Sequence, residues 1–210
     1  MFDYSLAHWG AFFAAAFALN LSPGPDIAFI LGRTVQAGRR AGFAAMGGLW
    51  TGALGHVLFA TLGLSAILAQ SASVFTAVKW AGAGYLIWLG IKTLRNSGGS
   101  YVAGNGPVMS IGQSYRQGVL VNLMNPKVAV FFLAFLPQFV EPSAGPVWAQ
   151  IFLHGVLIIF VAACVEPLVI LAGDRLARGL RDRPQVGVWL DRVVGGILIG
   201  FGLKLAAARL

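Results

Sequence analysis

Long apolar runs separated by short polar clusters organise the chain. Six can be marked: Ala7 to Ile30, Ala41 to Leu68, Val74 to Leu94, Tyr115 to Val140, Val147 to Leu171 and Val186 to Ala206. Each is close to the roughly 20 residues that a helix needs to cross the hydrocarbon core of a bilayer. The pattern predicts an all-α integral membrane protein with six transmembrane helices. Two of the runs are interrupted. Asn20-Leu-Ser-Pro-Gly-Pro-Asp26 sets two prolines, a glycine and a carboxylate inside the first, and Asn125-Pro-Lys127 breaks the fourth. Backbone that leaves the helix at bilayer depth is tolerated only where it is packed in protein or lines a cavity. Helices 1 and 4 are therefore expected to be broken near the midplane, around a cavity.

The runs also repeat. Gly84-Tyr-Leu-Ile-Trp-Leu-Gly-Ile-Lys92 aligns with Gly196-Ile-Leu-Ile-Gly-Phe-Gly-Leu-Lys204, with both glycines and the lysine in register. Pro25-Asp-Ile-Ala-Phe-Ile30 aligns with Pro126-Lys-Val-Ala-Val-Phe131, whereas the second and fifth runs show no defensible match. Three crossings per half is an odd number, so the second copy must run through the bilayer in the opposite sense. The expected architecture is one membrane domain over 1–210 built as a 3+3 inverted repeat. Its first three-helix repeat is 1–95, its Gly/Ser/Asn-rich inter-repeat loop is 96–110, and its second repeat is 111–210. Chance similarity between apolar, glycine-rich helices is the competing explanation.

Composition agrees with the membrane class: 58% hydrophobic and 10% charged residues, with a mean hydropathy of +0.78. The 28 glycines suit closely approaching helices, for which Gly48-x-x-x-Gly52 and Gly196-x-x-x-Gly200 are candidates. A net charge of +8 could suggest a nucleic-acid partner, but the basic residues lie in short loops between the runs. Arg33, Arg39, Arg40, Lys92, Arg95, Arg116, Arg175, Arg178, Arg181 and Arg183 fall on one side of a six-crossing chain, against Lys79, Lys204 and Arg209 near the other. The richer side should be cytoplasmic, with both termini periplasmic and no nucleic acid involved. The loop from Asp174 to Pro184 is first an orientation signal and second a contact for anionic membrane lipids. One cysteine, Cys164, leaves no disulfide framework and no CxxC pair. The opening residues lack a basic n-region, so no removable signal peptide is expected.

Asp26 falls in the first turn of the helix that restarts at Pro25, where free amides and the helix dipole favour an acid; a cap explains it as well as a functional role does. Lys127 follows Asn125 as N-cap and Pro126 as first helical residue, so its charge stands at the end where the dipole opposes it. At bilayer depth such a cation needs an anionic partner. The repeat makes Asp26 and Lys127 equivalent, facing across a pseudo-twofold axis, an arrangement suited to a zwitterion. A small amino acid could offer its carboxylate to Lys127 and the free amides near Gly24 and Asn125, and its ammonium to Asp26 and unwound carbonyls. The rival is a permanent Asp26 to Lys127 ion pair that locks the halves. Ser22 belongs to the first break, and Asn20 and Asn122 stand just before the two breaks as capping groups or ligand contacts.

Glu166-Pro167 puts a carboxylate beside a proline kink in the fifth run, a candidate proton carrier or cation site. His56 and His154 are further proton-coupling candidates, against the commoner role of hydrogen-bonded packing histidines. No H-x-x-x-H or H-E-x-x-H spacing supports a metal site, and nothing calls for a cofactor. A membrane-embedded enzyme using Asp26, Glu166 and a histidine would be a different class, but the chain has no nucleophile elbow, zinc spacing or phosphate loop. A metal or inorganic ion exporter on a related scaffold is the other alternative.

Four stretches, in order, carry a resemblance: Leu21-Ser-Pro-Gly-Pro-Asp26, Arg39-Arg-Ala-Gly42, the segment from Lys79 to Lys92, and Asn122-Leu-Met-Asn-Pro-Lys127. Together they resemble the LysE/RhtB family of amino-acid exporters over nearly the whole chain. The resemblance implies a multi-pass carrier of the bacterial inner membrane, not an enzyme, that exports amino acids such as lysine, arginine, homoserine, threonine or leucine against proton entry. The family's two signature breaks correspond to Ser22 to Asp26 and Asn125 to Lys127. Glu166 belongs to no matched motif, so its role rests on the physical argument. Which amino acid is exported, and whether the protein forms a homo-oligomer, are left open.

Overall fold

The two interrupted runs become bent helix pairs. In the computed structural model, which describes residues 3–21, 24–70, 72–95, 109–141, 143–173, 175 and 184–207, the described residues contain helices and no strand. The first run is α1 (Leu6–Leu21) followed by α2 (Pro25–Ala37), bent by 49°. Then come α3 (Arg39–Gln70) and α4 (Ala72–Arg95). The fourth run is α5 (Ile111–Leu123) followed by α6 (Pro126–Phe135) and a 3-10 helix (Leu136–Phe139), bent by 50°. The last helices are α7 (Val147–Leu171) and α8 (Pro184–Ala207).

Among the described residues, Arg39–Gly63 of α3 and the whole of α7 are long and apolar enough to cross a membrane, and counting each bent pair as one crossing brings the number to four. The 24-residue α4 and α8 have the reach, about 36 Å at 1.5 Å per residue. They carry charges at Lys79, Lys92 and Arg95 and at Asp191, Arg192 and Lys204, and they are not among the crossings counted over the described residues. Large apolar side chains such as Phe59, Leu62, Phe160, Leu168 and Leu203 stand exposed, a surface suited to hydrocarbon.

Local chemistry accounts for the helix ends. Both restarts place proline at the first helical position, Pro25 after Gly24 and Pro126 after Asn125, where a missing N–H leaves nothing unsatisfied. A capping box opens α5: Gln113 N–H donates to Ser110 Oγ (3.2 Å), and Ser110 N–H to Gln113 Oε1 (2.8 Å). No proline follows Ile30 and α2 runs on through Gly32 to Gly38, whose φ of 81° ends it in the left-handed region. The first run therefore continues past its expected end at Ile30. Arg33 is consequently not a loop residue. It lies within α2, 3% exposed, and donates to Ser114 Oγ (3.0 Å), Gln36 Oε1 (3.0 Å) and the Met109 carbonyl (2.8 Å), tying α2 to the start of α5. Arg178, Arg181, Arg183 and residues 96–108 of the inter-repeat loop lie outside the described residues.

Glycines set the closest helix contacts. Along α3 and α5, Gly48 lies against the Tyr115 carbonyl, Gly118 against the Ala45 carbonyl and Gly52 against Asn122. The Gly48-x-x-x-Gly52 expectation holds. Gly196 and Gly200 instead face open space, and α8 presents Gly195 and Gly202 to α4, because those two share a face with Ile199 at helical spacing.

The α4–α8 contact is reciprocal. Gly90 of α4 meets Ile199 and the Gly195 carbonyl, while Gly202 of α8 meets Ile87 and the Ala83 carbonyl. The shift that carries Gly90 onto Gly202 also carries Ile87 onto Ile199 and Ala83 onto Gly195. Each helix thus contacts the other through the same register positions. The main apolar core fills the space between α1, α6 and α7, with Phe12, Phe131, Phe132, Phe135, Ile151 and Ile158 buried.

Candidate functional site

The two breaks meet side by side, and Asn125 joins them. Its Oδ1 accepts from the Lys127 backbone N–H (3.0 Å), capping α6, and its Nδ2 donates to Asp26 Oδ1 (2.9 Å) in the first turn of α2. Across from this contact, Lys127 Nζ lies against Gly24, where a side chain would begin only 2.9 Å away. These contacts are also reciprocal. The shift that carries Pro25 onto Pro126 carries Gly24 onto Asn125 and Asp26 onto Lys127.

Lys127 Nζ also reaches the Leu19 carbonyl (3.4 Å). That oxygen belongs to the last turn of α1, where carbonyls without an intrahelical partner form the negative end of the helix. The break in the first run therefore supplies what the cation lacks at the start of α6. Asp26 takes a hydrogen bond from Asn125 in the first turn of α2.

Lys127 (6% exposed), Asp26, Asn122 and Glu166 line one cavity of about 40 Å³ enclosed by α1, α2, α3, α5, α6 and α7. Glu166, also 6% exposed, accepts from Trp50 Nε1 (2.7 Å) across the α3–α7 contact. Pro167 follows it inside α7 and removes one N–H from the helix ladder. Asn122 is 5% exposed, and its Oδ1 is the buried side-chain acceptor left without a hydrogen bond among the described residues. Asn20, on the same wall, donates to the Ala16 carbonyl (2.8 Å) of its own helix and to the Ile158 carbonyl (3.5 Å) of α7. Beyond the breaks lies a larger cavity of about 370 Å³ between α2, α4 and the start of α6, lined by Tyr85, Trp88, Lys92 and Thr93. Lys127 lines both. Ser22 lies outside the described residues.

The match to the LysE type translocator model runs over residues 17–209, which takes in both breaks and every residue of this cavity. The chain belongs to the LysE type translocator family. It is 33% identical over 201 residues to the homoserine/homoserine lactone efflux protein of Salmonella typhimurium, covering 96% of this chain and 97% of that protein. It is 31% identical over 201 residues to an uncharacterized membrane protein of Vibrio cholerae, again 96% and 97% of the two chains. An uncharacterized membrane protein of Pseudomonas aeruginosa is 31% identical over 195 residues, 90% of each chain. No solved structure matches the chain.

In this translocator the histidines stand apart from the cavity. His56 Nε2 meets the Asn122 carbonyl (3.1 Å), which also accepts from Asn125 N–H (2.9 Å). His56 thus satisfies the backbone end that the second break exposes. His154 lies near the start of α7, hydrogen-bonded to His8 of α1 (Nε2 to Nε2, 3.0 Å) and to the Gln150 carbonyl (2.8 Å). His8 Nδ1 meets Glu141 Oε1 (3.2 Å). Burial, and then the Glu141 carboxylate, push the Tyr4 phenol up from its ordinary value, so it stays protonated and donates to Gln150 Oε1 (2.8 Å). His8 and Glu141 carry no spacing signal in the sequence. The aromatic cluster Tyr4, His8 and Trp9 was the one available hint.

Proposed function

We propose that this translocator exports small amino acids or their close derivatives from a bacterial cytoplasm across the inner membrane, by alternating access and against proton entry. Homoserine is the first substrate to try, because the Salmonella relative is named for it. The observation that carries the reading is the junction of the two breaks, where Asp26, Asn125, Lys127 and the unsatisfied Asn122 Oδ1 converge with Glu166 close by.

The substrate carboxylate binds Lys127 and the amides at the starts of α2 and α6, near Gly24 and Asn125. The ammonium, with three N–H donors, is taken by Asp26 and Asn122 Oδ1. Glu166, held by Trp50, carries the coupling proton. A water needs about 10–15 Å³, so a cavity of about 40 Å³ admits about three or four waters rather than an amino acid. Binding therefore requires the helices around the breaks to part, and Lys127, on the wall of both cavities, is where the substrate passes from one to the other.

Two crosswise sets of contacts, at the breaks and along α4–α8, support a 3+3 inverted repeat of six crossings with halves 1–95 and 111–210. On this reading α4 and α8 are the third and sixth spans, and both termini face the periplasm. The test is exchange of labelled homoserine, threonine, leucine, lysine and arginine in proteoliposomes, with and without an imposed pH gradient. Homoserine-class exchange that Lys127→Ala abolishes is the expected result. A folded preparation that exchanges none of the panel overturns the proposal.

A further inference from the structure

We infer that Glu141, His8 and His154 form a proton-binding site that latches α1 to α7 at the end of the bundle opposite the Arg33 tie. The argument is a count of protons. A backbone carbonyl can only accept, so the 2.8 Å contact from His154 Nδ1 to the Gln150 carbonyl places a proton on that nitrogen. The 3.0 Å contact between His8 Nε2 and His154 Nε2 needs one proton between them. The 3.2 Å contact between His8 Nδ1 and Glu141 Oε1 needs another, whichever atom carries it.

Three hydrogen bonds thus require three protons. A carboxylate and two neutral imidazoles hold only two, one per ring. The arrangement therefore holds one proton more than its basic form, and the net charge of the three groups is zero. When that proton leaves, one of the two bonds made by His8 must break. A further proton can be taken up on the second Glu141 oxygen, with Oε1 still accepting from His8 Nδ1–H, so the chain of contacts survives acidification. The latch is closed while the third proton is held and opens when it leaves.

The surroundings suit this role. Tyr4 stacks on His8 with ring centroids 4.2 Å apart, and Trp9 stacks on His154 at 5.5 Å, so two electron-rich faces cover the pair. Among the described residues the titratable groups that meet the two rings are Tyr4, from the segment before α1, and Glu141, from the loop after the 3-10 helix. Gln150 fixes that loop to α7, accepting from the Glu141 N–H (2.9 Å) and donating to the Glu141 and Gly145 carbonyls (2.9 and 2.7 Å). Opening at His8 therefore removes the titratable tie between α1 and this unit, while the Tyr4 to Gln150 hydrogen bond and the apolar core remain.

The test is ring-nitrogen NMR of the full chain, labelled at its three histidines and held in lipid nanodiscs, over roughly pH 5 to 8. A scalar coupling across the His8 to His154 hydrogen bond is expected, lost together with a single proton as the pH rises. Glu141→Gln removes the balancing charge, weakens proton binding about tenfold and moves that step down by about one pH unit. Two rings that titrate independently with no coupling, or a step unmoved in Glu141→Gln, overturn the inference. His56→Gln serves for assignment and leaves the coupling in place. None of these readouts depends on transport, so failure of the latch and failure of the export reading are told apart.

Discussion

Replacing Asn125 by alanine removes two hydrogen bonds at once, and other substitutions separate them. Its Oδ1 caps α6 through the Lys127 N–H, an interaction of about 1 kcal/mol. Its Nδ2 serves the Asp26 carboxylate at 2.9 Å, and a bond to a charged group contributes about 1.5–3 kcal/mol. Asn125 is 2% exposed, so water cannot readily replace either bond. Asn125→Ala should cost about 2.5–4 kcal/mol by the same magnitudes. Asn125→Ser keeps an acceptor for the cap but lacks the reach to Asp26, so it should cost about 1 kcal/mol less. Asn125→Asp keeps the cap and sets two carboxylates together, and adding Asp26→Asn should recover most of the loss by reversing donor and acceptor. The assay is reversible unfolding in mixed micelles, with homoserine exchange measured in parallel. Equal losses for serine and alanine, or no recovery in the reversed pair, would refute the bridging role of Asn125.

The reciprocal α4–α8 contact predicts matched effects. Gly90→Ala and Gly202→Ala should each destabilise by about 1–3 kcal/mol, because both crowd a facing carbonyl. Gly84→Ala and Gly196→Ala should be neutral or gain up to about 1 kcal/mol, since both positions face open space in a helix interior; thermal unfolding in detergent separates the two pairs. Trp50→Phe deprives the buried Glu166 of its 2.7 Å donor and should lower stability by about 1–3 kcal/mol, and a double-mutant cycle with Glu166→Gln should reveal the coupling. Arg33→Met should loosen the start of α5 from α2, read as faster amide exchange at residues 111–114, while Arg39→Met, at an exposed position, should leave that exchange unchanged.

The helical class and the positions of both breaks were legible because apolar run length, proline and glycine act locally on the chain. So were the bounds of α7, where the expected Val147 to Leu171 agrees with the structure at both ends. Glycines that the sequence alignment pairs have like surroundings: Gly90 and Gly202 are crowded, while Gly84 and Gly196 are open. Which glycines meet a neighbour was not readable, since that depends on the rotation of each helix about its axis. The small-residue pair at Gly196 and Gly200 misled for that reason.

By itself the sequence determined the membrane-suited class, two proline breaks with an acid at one and a base at the other, and membership of a translocator family. The tertiary structure alone decided what each charge meets. It gave Asp26 to Asn125, set Lys127 at the last turn of α1, brought Glu166 to Trp50 and moved His154 away to His8 and Glu141. Those partners come from helices far apart in the chain, and a side chain's electrostatic surroundings depend on that long-range packing. Local residue preferences stop at the ends of each helix.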